Sequence, residues 1–98
     1  MTNLEHTLNK SNSSFIYETG LHAYYKHNYK LATEYFVNCL KRDHRNWNAR
    51  LYLGMCYTHT KQFADAISQF QMIEDGCTDP SLKNRAILAG LALNSIAQ

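Results

Sequence analysis

An internal repeat of 34 residues is the feature that most limits how this chain of 98 residues can fold. Aligning the sequence with itself at an offset of 34 positions pairs small residues with small ones and aromatic residues with aromatic ones. Five such matches at one offset, in the same order of residue types, indicate that one structural unit occurs twice. The matched pairs are Gly20 with Gly54, Tyr29 with Phe63, Ala32 with Ala66, Phe36 with Phe70 and Cys39 with Ile73.

Each unit is predicted to contain two helices joined by a tight turn, which in the first unit is expected at His27 and Asn28. Small and apolar residues recur at spacings of three and four, which places them on one face of each helix. Since no segment alternates polar and apolar residues with a period of two, the chain is predicted to be all-helical. The predicted packing stripes are Ile16, Thr19, Gly20 and Ala23; Tyr29, Ala32, Phe36, Cys39 and Leu40; Leu53, Gly54 and Tyr57; and Phe63, Ala66, Ile67, Phe70 and Ile73.

Gly20 and Gly54 lie inside predicted helices, where glycine costs about 0.5–1 kcal/mol relative to alanine. Gly20 and Gly54 hold equivalent positions in the two units. Such a cost is understandable where two helices approach closely. The small residues expected opposite the glycines are Ala32 and Ala66.

The end of the fourth helix and the start of a fifth are also marked in the sequence. Gly76 suits the position just after a helix end, and Asp79 with Pro80 suits the cap and first residue of a helix that runs to about Ile96. The expected organisation is one domain with an N-terminal segment 1–12, a first repeat at about 13–46, a second repeat at about 47–80 and a terminal helix at about 80–96.

This arrangement resembles the tetratricopeptide repeat (TPR), a 34-residue helix–turn–helix unit. The sequence departs from the TPR pattern at His44 and Thr78, which stand where a proline is often found. The resemblance implies a right-handed superhelical array of antiparallel helix pairs, with two repeats and a C-terminal helix. The residues that carry it are Leu53, Gly54, Tyr57, Phe63, Ala66, Phe70 and Ile73 in the second unit, and Gly20, Tyr29, Ala32 and Phe36 in the first.

In a stacked array of this kind, one face of each first helix lines a concave groove. Tyrosine, leucine, methionine and small residues lie on that face here, and such a surface suits the apolar side of an amphipathic helix. The alternative is that these residues fill ordinary contacts within a small, tightly wound array. The predicted partner-binding residues are Tyr17, Leu21, Tyr24, Leu51, Tyr52, Met55, Ala86, Ala89 and Leu93.

The predicted last helix is apolar on nearly every side, whereas the end of a repeat array normally needs a polar outer face. The sequence leaves open two ways in which this helix is covered. The array closes on its own N-terminal segment through Leu4 and Leu8, or another chain covers the helix, self-association included. The apolar residues of this helix are Leu82, Ala86, Ile87, Leu88, Ala89, Leu91, Ala92, Leu93 and Ile96.

Composition argues against several other classes of protein. The net charge of +2 is far from that of a nucleic-acid-binding domain. The longest apolar run, Ala86–Leu93, is much shorter than the roughly 20 residues that span a membrane. The first residues lack the basic and apolar regions of a secretory signal, so a cytoplasmic protein without membrane insertion is expected.

The cysteines and titratable residues do not form a recognisable catalytic or metal-binding motif. Cys39 and Cys56 fall on helical packing stretches and are predicted to be buried. Cys77 lies in a predicted loop, where a thiol is accessible for reaction, but no base is placed beside it. No paired Cys or His spacing predicts a zinc site, and no glycine-rich phosphate loop occurs. We therefore expect neither an enzyme nor a bound cofactor or metal.

At a finer level, the size and groove of the chain resemble the small TPR-type chaperones of bacterial type III secretion. That resemblance implies that the chain, with a small helical co-chaperone, holds the amphipathic C-terminal helix of a needle subunit and prevents premature polymerisation. Two other classes stay open. One is a general TPR adaptor or scaffold in another assembly or regulatory pathway, and the other is a homodimeric TPR module that pairs through its last helix.

Overall fold

The chain folds into five α-helices, with no strand among the residues described. The computed structural model describes the backbone of residues 2–97 and the side chains of residues 12–96. The prediction of an all-helical chain is confirmed, and the N-terminal segment continues the first helix back to Thr2. The helices are α1 (Thr2–Tyr25), α2 (Tyr29–Arg42), α3 (Trp47–His59), α4 (Phe63–Gly76) and α5 (Pro80–Ala97).

The helix boundaries repeat at the spacing found in the sequence. Helices α2 and α4 both contain 14 residues and begin 34 positions apart. The ends of α1 and α3, at Tyr25 and His59, are separated by the same distance along the chain. Consecutive helices pack on one another, and α3 also touches α1 and α5. Two hairpins of equal design, α1–α2 and α3–α4, are therefore followed by the single helix α5.

Each hairpin turns through one residue in the left-handed backbone conformation. The φ angle is 63° at His27 and 62° at Lys61, which occupy equivalent positions. The backbone N–H groups of Asn28 and Gln62 then donate to the carbonyl five residues earlier, at 2.9 and 2.8 Å. This pattern provides partners for carbonyls that a helix end otherwise leaves free. The turn predicted at His27 and Asn28 is confirmed.

A phenylalanine ring packs against the glycine of each hairpin. A Cβ atom added to Gly20 would lie 2.8 Å from Cε1 of Phe36, and one added to Gly54 would lie 2.6 Å from Cε1 of Phe70. The close approach predicted at these glycines is present. However, the nearest side chain is a phenylalanine four residues beyond the alanine that the sequence suggests. The missing side chain leaves room for an aromatic ring.

The core has two parts that share α3. The first part joins α1, α2 and α3, and the second joins α3, α4 and α5, so α3 is covered on two flanks. The first contains Ala23, Ala32, Phe36, Cys39, Leu40, Ala49, Leu53 and Cys56. The second contains Leu51, Ala66, Phe70, Ile73, Cys77, Ala86 and Leu93.

The end of α4 differs from the sequence expectation. Gly76 is the last helical residue, and its φ angle is not positive. A Cβ atom there would lie 2.7 Å from Cη2 of Trp47, so this glycine makes room for the indole. The start of α5 agrees with the expectation, because the helix begins at Pro80 and Oδ1 of Asp79 accepts the N–H of Ser81 at 2.9 Å.

We expect Gly54→Ala to lower the free energy of unfolding, because the new methyl group overlaps the ring of Phe70. Overpacking costs about 1–3 kcal/mol, which exceeds the gain of about 1 kcal/mol in helix propensity. Gly90→Ala is the matched control, since a Cβ atom added to Gly90 would lie 3.9 Å from Cβ of Phe70, an ordinary van der Waals contact. Urea denaturation should show a loss for the first variant and none for the second. Equal stability of the two variants would contradict the close packing described.

We expect Lys61→Gly to raise the free energy of unfolding by about 0.5–1 kcal/mol. The left-handed conformation is strained for lysine but not for glycine, although glycine also gains entropy when unfolded. His27→Gly should gain less, because His27 Nδ1 shares a hydrogen bond with the Tyr29 hydroxyl at 2.8 Å. Urea denaturation measures both variants, and a larger gain for His27→Gly would contradict this explanation.

Candidate protein-binding surface

Five tyrosines and a histidine from α1, α2 and α3 form one surface cluster. At its centre, the ring of Tyr24 meets those of Tyr25 and Tyr52 edge to face, with centroids 5.4 and 5.2 Å apart. Tyr29 stacks on His59 with a centroid distance of 4.1 Å and nearly parallel planes. Such ring pairs stabilise one another beyond their buried area. We call this set the tyrosine cluster, and its members are Tyr17, Tyr24, Tyr25, Tyr29, Tyr52 and His59.

Hydrogen bonds join the polar tips of the cluster. The hydroxyls of Tyr25 and Tyr52 are 3.1 Å apart, and the hydroxyl of Tyr24 is 3.4 Å from Nε2 of His59. Tyr24 and Tyr52 are half-buried, while Tyr25 is exposed. The rings are therefore held in place by neighbouring rings while part of their area remains accessible.

Three phenols of the cluster, those of Tyr17, Tyr24 and Tyr25, have a raised pKa. Burial, with smaller contributions from neighbouring tyrosines, raises the pKa of Tyr17 to about 12. Burial also raises the pKa of Tyr24, and the hydrogen bond to Tyr52 raises the pKa of Tyr25. The cation of Arg85 opposes this increase at Tyr17 and Tyr25. Its guanidinium on α5 is thus within electrostatic reach of two residues of α1.

The structure divides the nine predicted partner-binding residues into two groups. Leu51, Ala86 and Leu93 are only 1%, 1% and 3% exposed and belong to the second part of the core. Because other side chains of the same chain cover them, they offer almost no area to a partner. The accessible surface is formed by the six half-buried residues Tyr17, Leu21, Tyr24, Tyr52, Met55 and Ala89.

Three members of the tyrosine cluster are not among the residues predicted from the sequence. Tyr25 and Tyr29 flank the turn of the first hairpin, and His59 ends α3. The signal that points to them is the concentration of tyrosine at positions 24, 25 and 29. Helical periodicity misses this signal because the turn, and not one helix face, brings Tyr24 and Tyr29 together.

Helix α5 exposes apolar side chains, as the sequence suggests. Leu88 and Leu91 are 67% and 61% exposed. Leu4 and Leu8, which would cover α5 in one of the two alternatives that the sequence leaves open, lie outside the described side chains. We define the α5 face by five exposed residues, Asn84, Leu88, Leu91, Ala92 and Ser95.

The cysteines lie inside the fold. Burial raises the pKa of the Cys56 thiol to about 11 and also raises that of Cys39, so both stay protonated near neutral pH. Cys77 follows α4 and is buried in the core, so it is not the accessible loop thiol that the sequence suggests. Among the side chains described, no group of three His, Cys, Asp or Glu residues is placed to hold a metal ion.

No helix in the described part of the chain is both long enough and apolar enough to cross a membrane. Comparison with known proteins gave no match to a family model, to a curated protein or to a solved structure. The function proposed below therefore depends on the geometry of the tyrosine cluster and of the helices that carry it.

We expect stability to decrease as the pH rises from about 10 to about 12. The unfolded chain releases its phenolic protons near pH 10, whereas Tyr17 in the folded chain holds its proton to about pH 12. Over that interval the folded state binds more protons than the unfolded state, so raising the pH favours unfolding. Urea denaturation at several pH values measures the decrease. In Tyr17→Phe the decrease should be smaller, and an unchanged decrease would contradict the assignment to Tyr17.

Proposed function

We propose that this chain is a protein-binding module that holds an amphipathic helix of a client protein in a groove. The observation that carries the proposal is the tyrosine cluster, whose rings are ordered by one another and only half covered. Tyrosine supplies a large contact area with few rotatable bonds and is enriched among the residues that dominate binding energy.

Helical spacing extends this surface along α1 and α3. Tyr17, Leu21 and Tyr24 are four and three residues apart and share one face of α1. Tyr52 and Met55 are three residues apart on α3 and are both half-buried. Together these residues form a strip of large aromatic and aliphatic side chains. Such a strip suits the apolar face of an amphipathic helix.

The two hairpins support a TPR-like architecture for the groove. Their boundaries repeat every 34 residues, and α3 touches both α1 and α5. In a right-handed TPR-like array, α1, α3 and α5 form the inner layer and α2 and α4 the outer layer. Arg85 then contributes a cation on the inner layer, opposite the tyrosines of α1, and favours a client helix that carries a carboxylate there.

The apolar area of such a groove supplies a driving force for binding. Covering about 500 Å² of apolar area contributes on the order of 12 kcal/mol before the costs of association and ordering. Because the tyrosine rings are already held by mutual contacts, less of that energy is lost in ordering them.

We further propose that the client is a needle subunit of a bacterial type III secretion system, held together with a small helical co-chaperone in the cytoplasm. Occupation of the groove would cover the apolar helix face through which the subunit polymerises. The two hairpins and the tyrosine-rich end of α1 support this proposal.

A second candidate is a general TPR adaptor that holds a folded partner on its outer layer. It is favoured by two exposed apolar side chains, Leu31 on α2 and Met72 on α4. These residues lie on the helices that form the outer layer in the proposed array. The two candidates therefore assign the partner to opposite surfaces.

Capture of bound chains by the tagged protein in its native host distinguishes the two surfaces. We expect Met55→Asp to reduce the captured client about tenfold or more, because a buried unpaired carboxylate is costly. Leu31→Asp is the matched control, since it places the same charge on α2, and it should retain the client. Leu51 is unsuitable for this test because it lies in the core.

The identity of the captured chains tests the finer proposal. Two very small helical proteins that depend on Met55 support the chaperone of a needle subunit. A folded partner that is lost in Leu31→Asp and kept in Met55→Asp supports the adaptor instead. If both variants retain the same chains as the unaltered protein, the groove is not the binding site.

A further inference from the structure

In each hairpin, the second helix covers the side of the first helix that carries the glycine. The α5 face lies on the equivalent side of α5. Leu88 follows Gly54 by 34 residues, just as Gly54 follows Gly20. Both glycines are buried against a phenylalanine of the next helix, whereas Leu88 is 67% exposed. Helix α5 thus presents to solvent the side that packs on a partner helix elsewhere in the same fold.

We propose that the α5 face pairs with the α5 face of a second copy of this chain, in an antiparallel, two-fold symmetric contact. This interface goes beyond the proposed client groove, because it uses the side of α5 opposite its buried residues Ala86 and Leu93. The variants that test the two functions, at Met55 on α3 and at Leu88 on α5, lie on different helices, so the two functions are tested independently.

The pattern of the α5 face is self-complementary. Asn84, Leu88, Leu91 and Ser95 are spaced four, three and four residues apart and read polar, apolar, apolar, polar in both directions. A two-fold contact brings the same patch of both subunits together. Antiparallel pairing centred between Leu88 and Leu91 places Leu88 of one copy against Leu91 of the other, and Leu91 against Leu88. The same centre places Asn84 beside Ser95.

The charges of α5 favour the antiparallel direction. Its only charged residues are Lys83 and Arg85, both near its N-terminal end. In an antiparallel pair they lie beside the last turn of the other α5, where the helix dipole is negative. A parallel pair would instead bring the four cations together. The α5 face itself carries no charge, so symmetric pairing produces no repulsion between equal residues.

The size of the contact predicts a reversible dimer. Leucine in place of glycine keeps the two helices at an ordinary separation of about 8–10 Å. One helix pair of this length buries on the order of 1,000 Å² in total, which is close to the lower limit for a specific interface. Dissociation on dilution is therefore expected.

Sedimentation of the full chain over a concentration series tests the dimer. The unaltered protein should change from monomer to dimer as the concentration increases, and Leu88→Asp should weaken the association at least tenfold. Phe15→Asp is the matched control, because Phe15 on α1 is exposed to a similar degree, at 72%. Circular dichroism confirms that both variants are folded.

Three results would overturn the proposal. The first is an unaltered protein that remains monomeric throughout the series, which would leave the α5 face to a different chain. The second is a Leu88→Asp variant that associates as strongly as the unaltered protein. The third is equal loss of the dimer in Phe15→Asp.

Cysteine cross-linking tests the direction of pairing. The double variant Asn84→Cys/Ser95→Cys should form a covalent dimer under mild oxidation, since the two-fold contact brings position 84 beside position 95. Neither single variant should do so, because equal positions are separated by about 16 Å along the helices. The three native cysteines are buried, so the unaltered protein is a suitable blank. Equal cross-linking in a single variant would contradict the antiparallel arrangement.

Discussion

The contact between a phenylalanine ring and a glycine backbone determines the geometry of both hairpins. Phe36 and Phe70 occupy the space that a Cβ atom of Gly20 or Gly54 would need, so the ring lies directly on the opposing helix. Because the contact occurs twice at the same spacing, the second hairpin repeats the helix ends and the left-handed turn of the first. The tyrosines of α1 and α3 approach one another as a consequence of that repetition.

Position 88 is equivalent to Gly20 and Gly54 but carries a leucine. This departure from the repeat explains why the α5 face differs from the tyrosine cluster. Leu88 stands where a glycine would admit a phenylalanine, and it is exposed. A helix that covers it must therefore stay farther from α5 than α4 does from α3. Leu88 thus ends the series of close glycine–phenylalanine contacts and leaves an apolar patch exposed on α5.

The sequence predicts most of this fold because its repeat relates equivalent positions. The turn at His27 and the start of α5 at Pro80 follow from local residue preferences. The role of Gly76 does not, because it depends on Trp47, which is 29 positions earlier. The burial of Leu51 also does not follow from its spacing in the sequence. Helix α3 is covered on two flanks by its neighbouring helices, and helical periodicity does not show how far each neighbour extends over it.

The tyrosine cluster and the α5 face differ in chemistry, and the two proposals assign a different kind of partner to each. The cluster offers tyrosine hydroxyl groups, and the cation of Arg85 lies within electrostatic reach of Tyr17 and Tyr25, so the proposed client is a helix with polar groups at defined positions. The α5 face offers two leucines between neutral polar residues, and its recognition comes from matching spacing alone. A helix that satisfies the tyrosine hydroxyls would leave its own polar groups without partners on the α5 face. If both proposals hold, this difference in desolvation cost favours a client helix on the tyrosine cluster and leaves the α5 face to a surface of its own composition.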